Sequence, residues 1–251
     1  MKSLIEDLYF IKSQDAVAEV LDFVTILAIL ILAFSMIALV GYPILKSAQE
    51  TRYIENTRQS FSLMAENLNK IAMGQSPSQS VELKLYGGTL STSMDSTIKI
   101  NATNSTGKEI TLIESDMGII QNSIGDNVVA YEGTGVWVKY TNGATFNAYR
   151  PLITNRSNIL VIPIVTITGN SSAGGTGLSR IQAEGSPSLT YFNNVSNLTI
   201  TISGNYVSGW RDYFRDIMNW DVTSDNPVEG RLNNTNLDVY ILKTQMYTVI
   251  E

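Results

Sequence analysis

The chain has 251 residues, with 17 basic and 23 acidic side chains and neither histidine nor cysteine. Without these two residue types it cannot form disulfides, a thiolate nucleophile, a zinc site of thiolate and imidazole ligands, or a Ser-His-Asp triad. The net charge of −6 argues against nucleic acid or an anionic membrane surface as a main partner, because both bind basic surfaces. We therefore expect a non-enzymatic chain without a cofactor or a bound metal.

Residues 23–45 form an apolar run of 23 positions without a charged side chain. About 20 apolar residues in a helix span the hydrocarbon core of a bilayer, at about 1.5 Å per residue. The run predicts a retained membrane anchor, with Tyr42 and Lys46 at the interface. A cleaved signal, whose apolar stretch is usually about 7–15 residues, and a buried helix of a soluble core are the alternatives. Basic residues flank the run on both sides, so they do not decide its orientation.

The segment after the anchor has the apolar period of an amphipathic helix. Gly74 and Pro77 favour an end to that helix, and Pro43 predicts a kink closer to the membrane. The apolar stripe packs either on the following domain of the same chain or on identical helices, and we expect some of both. Its members recur at helical spacing: Ile54, Thr57, Phe61, Met64, Leu68 and Ile71.

Beyond residue 80 apolar and polar residues alternate, as in strands with one buried and one exposed face. The more continuously apolar run 159–167 predicts a central strand with a bulge or a sheet edge at Pro163, which lacks one donor for the ladder. The run 169–177 predicts a flexible surface loop. The expected fold class is α+β: a long N-terminal hydrophobic and amphipathic helix, then an all-antiparallel β domain, as a sandwich or a curved sheet, with one short amphipathic helix. The alternating runs are 81–86, 96–100, 109–113, 127–131, 135–140, 197–202 and 237–242.

Four parts are therefore expected along the chain. They are a leader or cytoplasmic segment (1–15), a transmembrane helix (16–45), an amphipathic helical stalk (46–74) and a β-rich extracellular domain (75–251). The extracellular side is favoured by Asn-x-Ser/Thr sequons, which accept glycans only outside the cytoplasm. Seven of the 18 asparagines after residue 100 begin a sequon, where chance would give three or four: Asn101, Asn104, Asn155, Asn170, Asn194, Asn197 and Asn233.

The predicted short helix spans residues 206–220 and is rich in aromatic side chains. Trp210, Tyr213 and Trp220 fit two interpretations, a carbohydrate-binding surface or ordinary core packing.

Carboxylates offer the chain its remaining route to catalysis. Asp212 and Asp216 lie four residues apart, as paired carboxylates require, but the neighbouring Arg211 and Arg215 favour surface ion pairs. In the loop predicted to follow, oxygen ligands suited to calcium occur at a spacing that matches no EF-hand. They are Asp221, Asp225 and Glu229.

The N-terminal layout resembles that of archaeal type IV pilin-like proteins. The resemblance begins with Ala16-Val17-Ala18-Glu19-Val20-Leu21 running into an apolar helix, and one uncharacterised subgroup shares further motifs. These are Ala65-Glu66-Asn67-Leu68 before Pro77-Ser78, Val129-Ala130-Tyr131-Glu132 before Gly135-Val136-Trp137, and the helix of Trp210, Tyr213 and Phe214. The resemblance implies a leader removed by a prepilin-type peptidase, an anchoring helix that becomes a filament core, and self-association.

Glu19 is the residue to which the resemblance gives a role, because an acidic residue near the mature terminus of these proteins meets a neighbour's amine. Cleavage after Ala16 would leave Val17 first and Glu19 third, whereas the family usually has its acid fifth. The basic residue common just before the cleavage site is missing here, and a chain that kept its leader would stay a single-pass surface protein.

Two functions are therefore expected. The first is a pilin-like structural protein of the cell membrane or of a surface filament, with membrane lipid and itself as partners, displaying a glycosylated β domain for adhesion or surface contact. The alternative is a single-pass, membrane-tethered binding module for a polysaccharide or a partner protein.

Overall fold

The computed structural model describes the backbone of residues 2–251 and the side chains from Ala18 onward. The chain divides into two compact units, one ending at Thr51 and the other spanning Arg52–Glu251. Helix α1 covers Lys2–Met36, a π-helical turn follows at Ile37–Gly41, and helix α2 covers Tyr42–Ala72.

The helix Ala18–Ala72 spans 55 residues, and its most apolar stretch is not buried at all. It is the one helix in the described part of the chain that is long and apolar enough to cross a membrane, properties that a signal sequence shares. Two hydroxyls in the apolar stretch bond to the backbone of the helix, since Thr25 donates to the Leu21 carbonyl and Ser35 to the Ile31 carbonyl, both at 2.7 Å. A segment with its polar groups paired in this way suits a lipid environment.

The π-helical turn lies directly before Pro43. The proline nitrogen has no proton to donate to the carbonyl one turn earlier, and its ring crowds that turn. The distortion expected near Pro43 therefore takes the form of a widened turn at Ile37–Gly41 within a helix that continues.

Eleven strands and a short helix make up the rest of the described chain. Helix α3 covers Val207–Asp212 and continues as a π-helical turn at Tyr213–Ile217, within the predicted range. The strands are β1 Ser78–Thr103, β2 Glu109–Ile124, β3 Asn127–Glu132, β4 Gly135–Lys139, β5 Thr145–Tyr149, β6 Thr154–Arg156, β7 Ile159–Thr168, β8 Ser172–Ser203, β9 Asp221–Asp225, β10 Val228–Leu232 and β11 Leu237–Ile250.

The strands form one curled sheet in the order β5-β4-β3-β2-β1-β8-β11-β7-β6, with β10 on β8 and β9 on β10. Most neighbours are antiparallel, which confirms the α+β class, but β7 and β11 run parallel, with Pro163 opposite Leu242. The expectation of an all-antiparallel sheet is wrong there, because β8 to β10 intervene and return the chain to the end of the sheet where β7 began.

Strands β1 and β8 pair in two stretches that follow in the same order along both strands. Ser78–Ser91 faces Ser172–Glu184, and Thr97–Thr103 faces Ser196–Ser203. Within each stretch, the residue numbers of the β8 partners fall as those of β1 rise. The two strands therefore pair locally in antiparallel register. Ser172–Gly177, predicted as part of a flexible loop, is therefore the start of β8, where glycines face the glycine-containing run of β1.

The sheet curls far enough for β2 to touch β7, which is not its neighbour in the strand order. Thr166 donates from Oγ1 to the Asp116 carbonyl at 2.8 Å. Gly118 is required at this crossing, because a Cβ there would lie 2.3 Å from the Ile167 Cβ.

Two apolar cores fill the sheet. The helix core lies between α2 and the sheet, and it buries the whole stripe predicted on that helix, with Phe61, Met64 and Leu68 at 0% exposure. The stripe thus packs on the chain's own domain, and packing of the helix against identical helices stays a prediction. The aromatic core lies beneath α3 and contains all three tryptophans: Trp137, Trp210 and Trp220.

Candidate functional site

The residues predicted for processing and assembly lie at the start of the apolar helix. Ala16 and Val17 are outside the residues whose side chains are described. Glu19 is exposed, with Val20 63% exposed and Leu21 65% exposed beside it. A charged carboxylate in lipid costs a few kcal/mol unless it is paired.

A buried amide ties α2 to the sheet. The Asn69 Nδ2 donates to the Thr134 carbonyl at 3.0 Å, and the Tyr131 hydroxyl donates to the Asn69 Oδ1 at 2.9 Å. Burial raises the pKa of Tyr131, so its hydroxyl keeps the proton that this bond needs. The turn between β3 and β4 is thereby fixed to the helix by two polar contacts inside an apolar core.

Glu132, in the same turn, is a fully buried carboxyl at the centre of the domain. The Trp210 Nε1 donates to its Oε1 at 2.7 Å, the Trp137 Nε1 donates to its backbone carbonyl at 3.1 Å, and its Oε2 has no partner among the described residues. Burial raises the pKa of Glu132 to about 7, against the lowering effect of the bond from Trp210. This carboxyl links the aromatic core to the turn that α2 holds.

The aromatic side chains predicted as a ligand surface are buried. Trp210 is 1% exposed, Tyr213 2% and Trp220 4%. The Trp210 ring centroid lies 4.7 Å from that of Trp137, and Phe214 stacks on Trp220 at 5.5 Å. Of the two interpretations, core packing is therefore confirmed for these three side chains and a carbohydrate-binding surface formed by them is wrong, because the apolar face of α3 turns inward onto the sheet.

The candidate catalytic carboxylates form ion pairs at the surface. Arg215 lies 3.0 Å from Asp212 and 2.7 Å from Asp216. Exposed pairs of this kind contribute about 0–1 kcal/mol each. The geometry provides neither an enclosed site nor an unpaired carboxylate at this position.

The candidate calcium ligands lie on the β9–β10 hairpin and not in the expected loop. Asp221 accepts a hydrogen bond from Asn233 at 2.7 Å, and Glu229 accepts one from Thr223 at 3.0 Å. Asp225 lies 3.9 Å from Arg211. The three carboxylates have separate partners within the protein and do not converge on one point.

Residues 16–248 match DUF7289, described as a family of unknown function. The chain belongs to the DUF7289 family. Comparison with curated proteins gave no match, and comparison with solved structures gave none. The DUF7289 match begins in the apolar helix and ends within β11, so it covers the helix and the β domain together.

The seven sequons of this DUF7289 chain all lie at the surface of the β domain. Asn101 and Asn104 are half-buried, and the other five are exposed: Asn155, Asn170, Asn194, Asn197 and Asn233.

The buried contacts of Asn69 and Glu132 were not predicted from the sequence. A polar residue in each otherwise apolar pattern was the available signal: Asn69 lies beside the helical stripe, and Glu132 ends the apolar run of β3. Neither pattern names the partner, because Thr134 is 65 residues from Asn69 and Trp210 is 78 from Glu132.

Proposed function

We propose that the chain is a pilin-like structural protein of the cell surface, held in the membrane by its N-terminal helix and displaying the β domain outside. One observation carries the proposal: a single helix, Ala18–Ala72, is fully exposed in its apolar stretch and buried in the helix core at its C-terminal end. The exposed apolar stretch and the segment buried in the helix core thus belong to one helix.

Exposed apolar side chains along the first part of this helix support lipid and other copies of the chain as partners. Phe23, Phe34 and Leu39 are each more than 60% exposed, and burying such side chains gives about 1.5–3 kcal/mol each. Lipid supplies that burial in a monomeric anchor, and neighbouring helices supply it in a filament core. The carboxylate of Glu19 pairs in the filament with the amino terminus of a neighbour.

The outward orientation is supported by the surface position of all seven sequons, since glycans are added to such sites only outside the cytoplasm. A structural, non-enzymatic role in adhesion or surface contact is supported by the lack of histidine and cysteine and by the ion pairing of Asp212 and Asp216.

The native amino terminus tests the filament role. A prepilin-type peptidase cutting after Ala16 leaves Val17 first and Glu19 third in the mature chain. Intact-mass measurement of the chain recovered from cell surfaces should show a start at Val17. A retained Met1 would contradict assembly into a filament and would leave the tethered binding module, whose ligand would have to bind residues other than the buried Trp210.

Substitution at Glu19 tests the assembly contact itself. Glu19→Ala should abolish filaments while the chain remains in the membrane fraction, because the unpaired amine of the neighbour then has no counter-charge. Thr25→Ala is the matched control on the same helix, since its hydroxyl bonds only to its own backbone. Wild-type filament yield from Glu19→Ala would refute the role assigned to the carboxylate.

A further inference from the structure

Six of the seven sequons lie at one end of the β domain, which we name the far end. It comprises the β1–β2 turn at residues 104–108, the part of β8 at 193–197, the β6–β7 turn, the end of β10 and the start of β11. The six sequons are Asn101, Asn104, Asn155, Asn194, Asn197 and Asn233.

Backbone pairing brings together the β1–β2 turn, β8 and the connection between β10 and β11. Asn101 lies opposite Thr199, and Thr103 opposite Ser196. The Asn197 N–H donates to the Asn234 carbonyl at 3.0 Å, which places the residue after Asn233 against β8.

The β6–β7 turn joins the same end. The Asp238 N–H donates to the Asn158 carbonyl at 2.8 Å, and the Asn194 N–H donates to Asp238 Oδ1 at 3.4 Å. Asn155, opposite Leu160 at the base of this turn, therefore lies on the same side of the domain as Asn194.

The opposite end, the near end, is where α2 enters the domain. Tyr53 stacks on Tyr86 with ring centroids 5.0 Å apart, and Tyr86 pairs with Thr176 of β8. Strand β11 runs from the far end at Leu237 to the near end at Ile250, 14 residues that extend about 43 Å at about 3.3 Å per residue. Asn170 is the one sequon at this end.

The uneven distribution does not follow from a shortage of asparagine at the near end. Asn127 and Asn142 occupy turns there and are joined through Thr141, whose N–H donates to the Asn127 Oδ1 at 3.3 Å. Neither asparagine is followed two positions later by Ser or Thr.

The far-end sequons differ in whether the amide nitrogen is free to react. Asn155, Asn194 and Asn197 are exposed and make no side-chain hydrogen bond within the described part of the chain. In contrast, the Asn101 Nδ2 donates to Glu109 at 3.3 Å and the Asn233 Nδ2 donates to Asp221 at 2.7 Å.

We propose that Asn155, Asn194 and Asn197 are N-glycosylated and that their glycans form a cap over the far end of the β domain. The inference rests on the proposed function, because the transfer occurs outside the cytoplasm. Each Nδ2 loses one proton and bonds to the anomeric carbon of a lipid-linked oligosaccharide. The bond from that carbon to the lipid phosphate breaks, and the phosphate leaves with the proton.

With such a glycan cap, the far end of the β domain and the outer face of α2 make different kinds of contact. Surface contact at the far end is made through carbohydrate, whereas the outer face of α2 holds no sequon and keeps Gln59, Leu63 and Glu66 exposed. The glycans therefore do not obstruct approach of another copy to the helix.

Peptide mass spectrometry of the chain purified from its native cells tests the assignment. We expect glycan on the peptides containing Asn155, Asn194 and Asn197, and on exposed Asn170, with at least tenfold lower occupancy at Asn101 and Asn233. The triple variant Asn155→Gln/Asn194→Gln/Asn197→Gln should lose three glycan masses. A variant that keeps the asparagines, Ser157→Ala/Ser196→Ala/Thr199→Ala, should lose the same three.

Unmodified Asn155, Asn194 and Asn197, or equal occupancy at Asn101 and Asn233, would overturn the proposal. A cysteine at exposed Ser186 separates this failure from failure of the proposed function, since the chain has no other cysteine. Ser186→Cys labelled by a membrane-impermeant maleimide on intact cells, with unmodified sequons, refutes the glycan cap alone. Cysteine that is not labelled on intact cells refutes outward display and the cap together.

Discussion

Glu132→Gln tests the buried carboxyl at the centre of the β domain. The glutamine keeps the shape of the side chain and an oxygen that accepts the Trp210 indole proton, but it removes the titration. The wild-type chain should lose stability with rising pH through this group, and the variant should not.

The magnitude follows from the pKa of Glu132, which burial raises from 4.5 to about 7. The folded chain binds this proton more tightly than the unfolded chain, so the contribution is fully present below pH 4.5, falls as the pH rises and is lost above about pH 7. The difference between the pKa of Glu132 in the folded and the unfolded chain corresponds to about 3 kcal/mol of unfolding free energy, at about 1.4 kcal/mol for each pH unit.

The assay is urea unfolding of the full chain in detergent at several values between pH 5 and pH 8, followed by tryptophan fluorescence. All three tryptophans lie in the aromatic core, so the signal reports the β domain. The free energy of unfolding of Glu132→Gln minus that of wild type should rise by about 2–3 kcal/mol across this range. Other titrating groups cancel in the difference, and Glu66→Gln, at an exposed position, should follow wild type. Parallel profiles for Glu132→Gln and wild type would refute the reasoning.

Three further substitutions test the packing with the same assay. Phe61 is 0% exposed in the helix core, and Phe61→Ala should lower the free energy of unfolding by about 3–5 kcal/mol. Leu63 is 63% exposed on the opposite face of α2, and the control Leu63→Ala should change that free energy by less than about 0.5 kcal/mol. Equal losses in the two variants would contradict the packing of the helix core. Gly118→Ala should lower the free energy of unfolding by about 1–3 kcal/mol, because its Cβ would clash with Ile167 where β2 crosses β7. An unchanged midpoint of urea unfolding would show that the two strands separate freely. Trp210→Phe should lower the free energy of unfolding by about 1–3 kcal/mol through the lost donor to Glu132. A smaller penalty when Glu132→Leu, which has no acceptor for that donor, is already present would show the coupling, while strict additivity would argue against it.

Local patterns predicted the helical part of the chain well. The stripe through Ile54, Phe61 and Leu68 is buried as its spacing requires, and α2 ends at Ala72, next to the predicted stop at Gly74. The stripe does not reveal its partner, because an apolar helix face packs equally well on a sheet or on another helix. Whether the apolar face of α2 packs on a sheet or on another helix depends on how strands that are distant in the sequence assemble beneath that face.

In the β domain, the alternation of apolar and polar residues predicts some strands but not others. Strands whose residues alternate between a buried and a more exposed face, such as the start of β11, were predicted. In contrast, Ser172–Asn194 of β8 is exposed on both faces over most of its length. The β9–β10 hairpin is missed for the same reason. The parallel register of β7 and β11 depends on chain reversals that no local pattern records.

The candidate sites divide in the same way. Sequons are local, so their positions were predicted, but their collection at the far end depends on strand pairing. Trp210 and Tyr213 were assigned to a helix correctly, whereas Trp220 lies beyond the end of that helix. The inward orientation of the helix requires the aromatic core beneath it.

The central claim, that the β domain is displayed outside a membrane spanned by the N-terminal helix, is tested most directly by labelling one cysteine on intact cells. Ser186→Cys is exposed in the β domain, and Ser96→Cys, at 1% exposure, is the matched control that reacts only after unfolding. The structure predicts that Ser186→Cys reacts with an impermeant maleimide to the same extent before and after lysis. Reaction only after lysis would place the domain in the cytoplasm and contradict the proposed function.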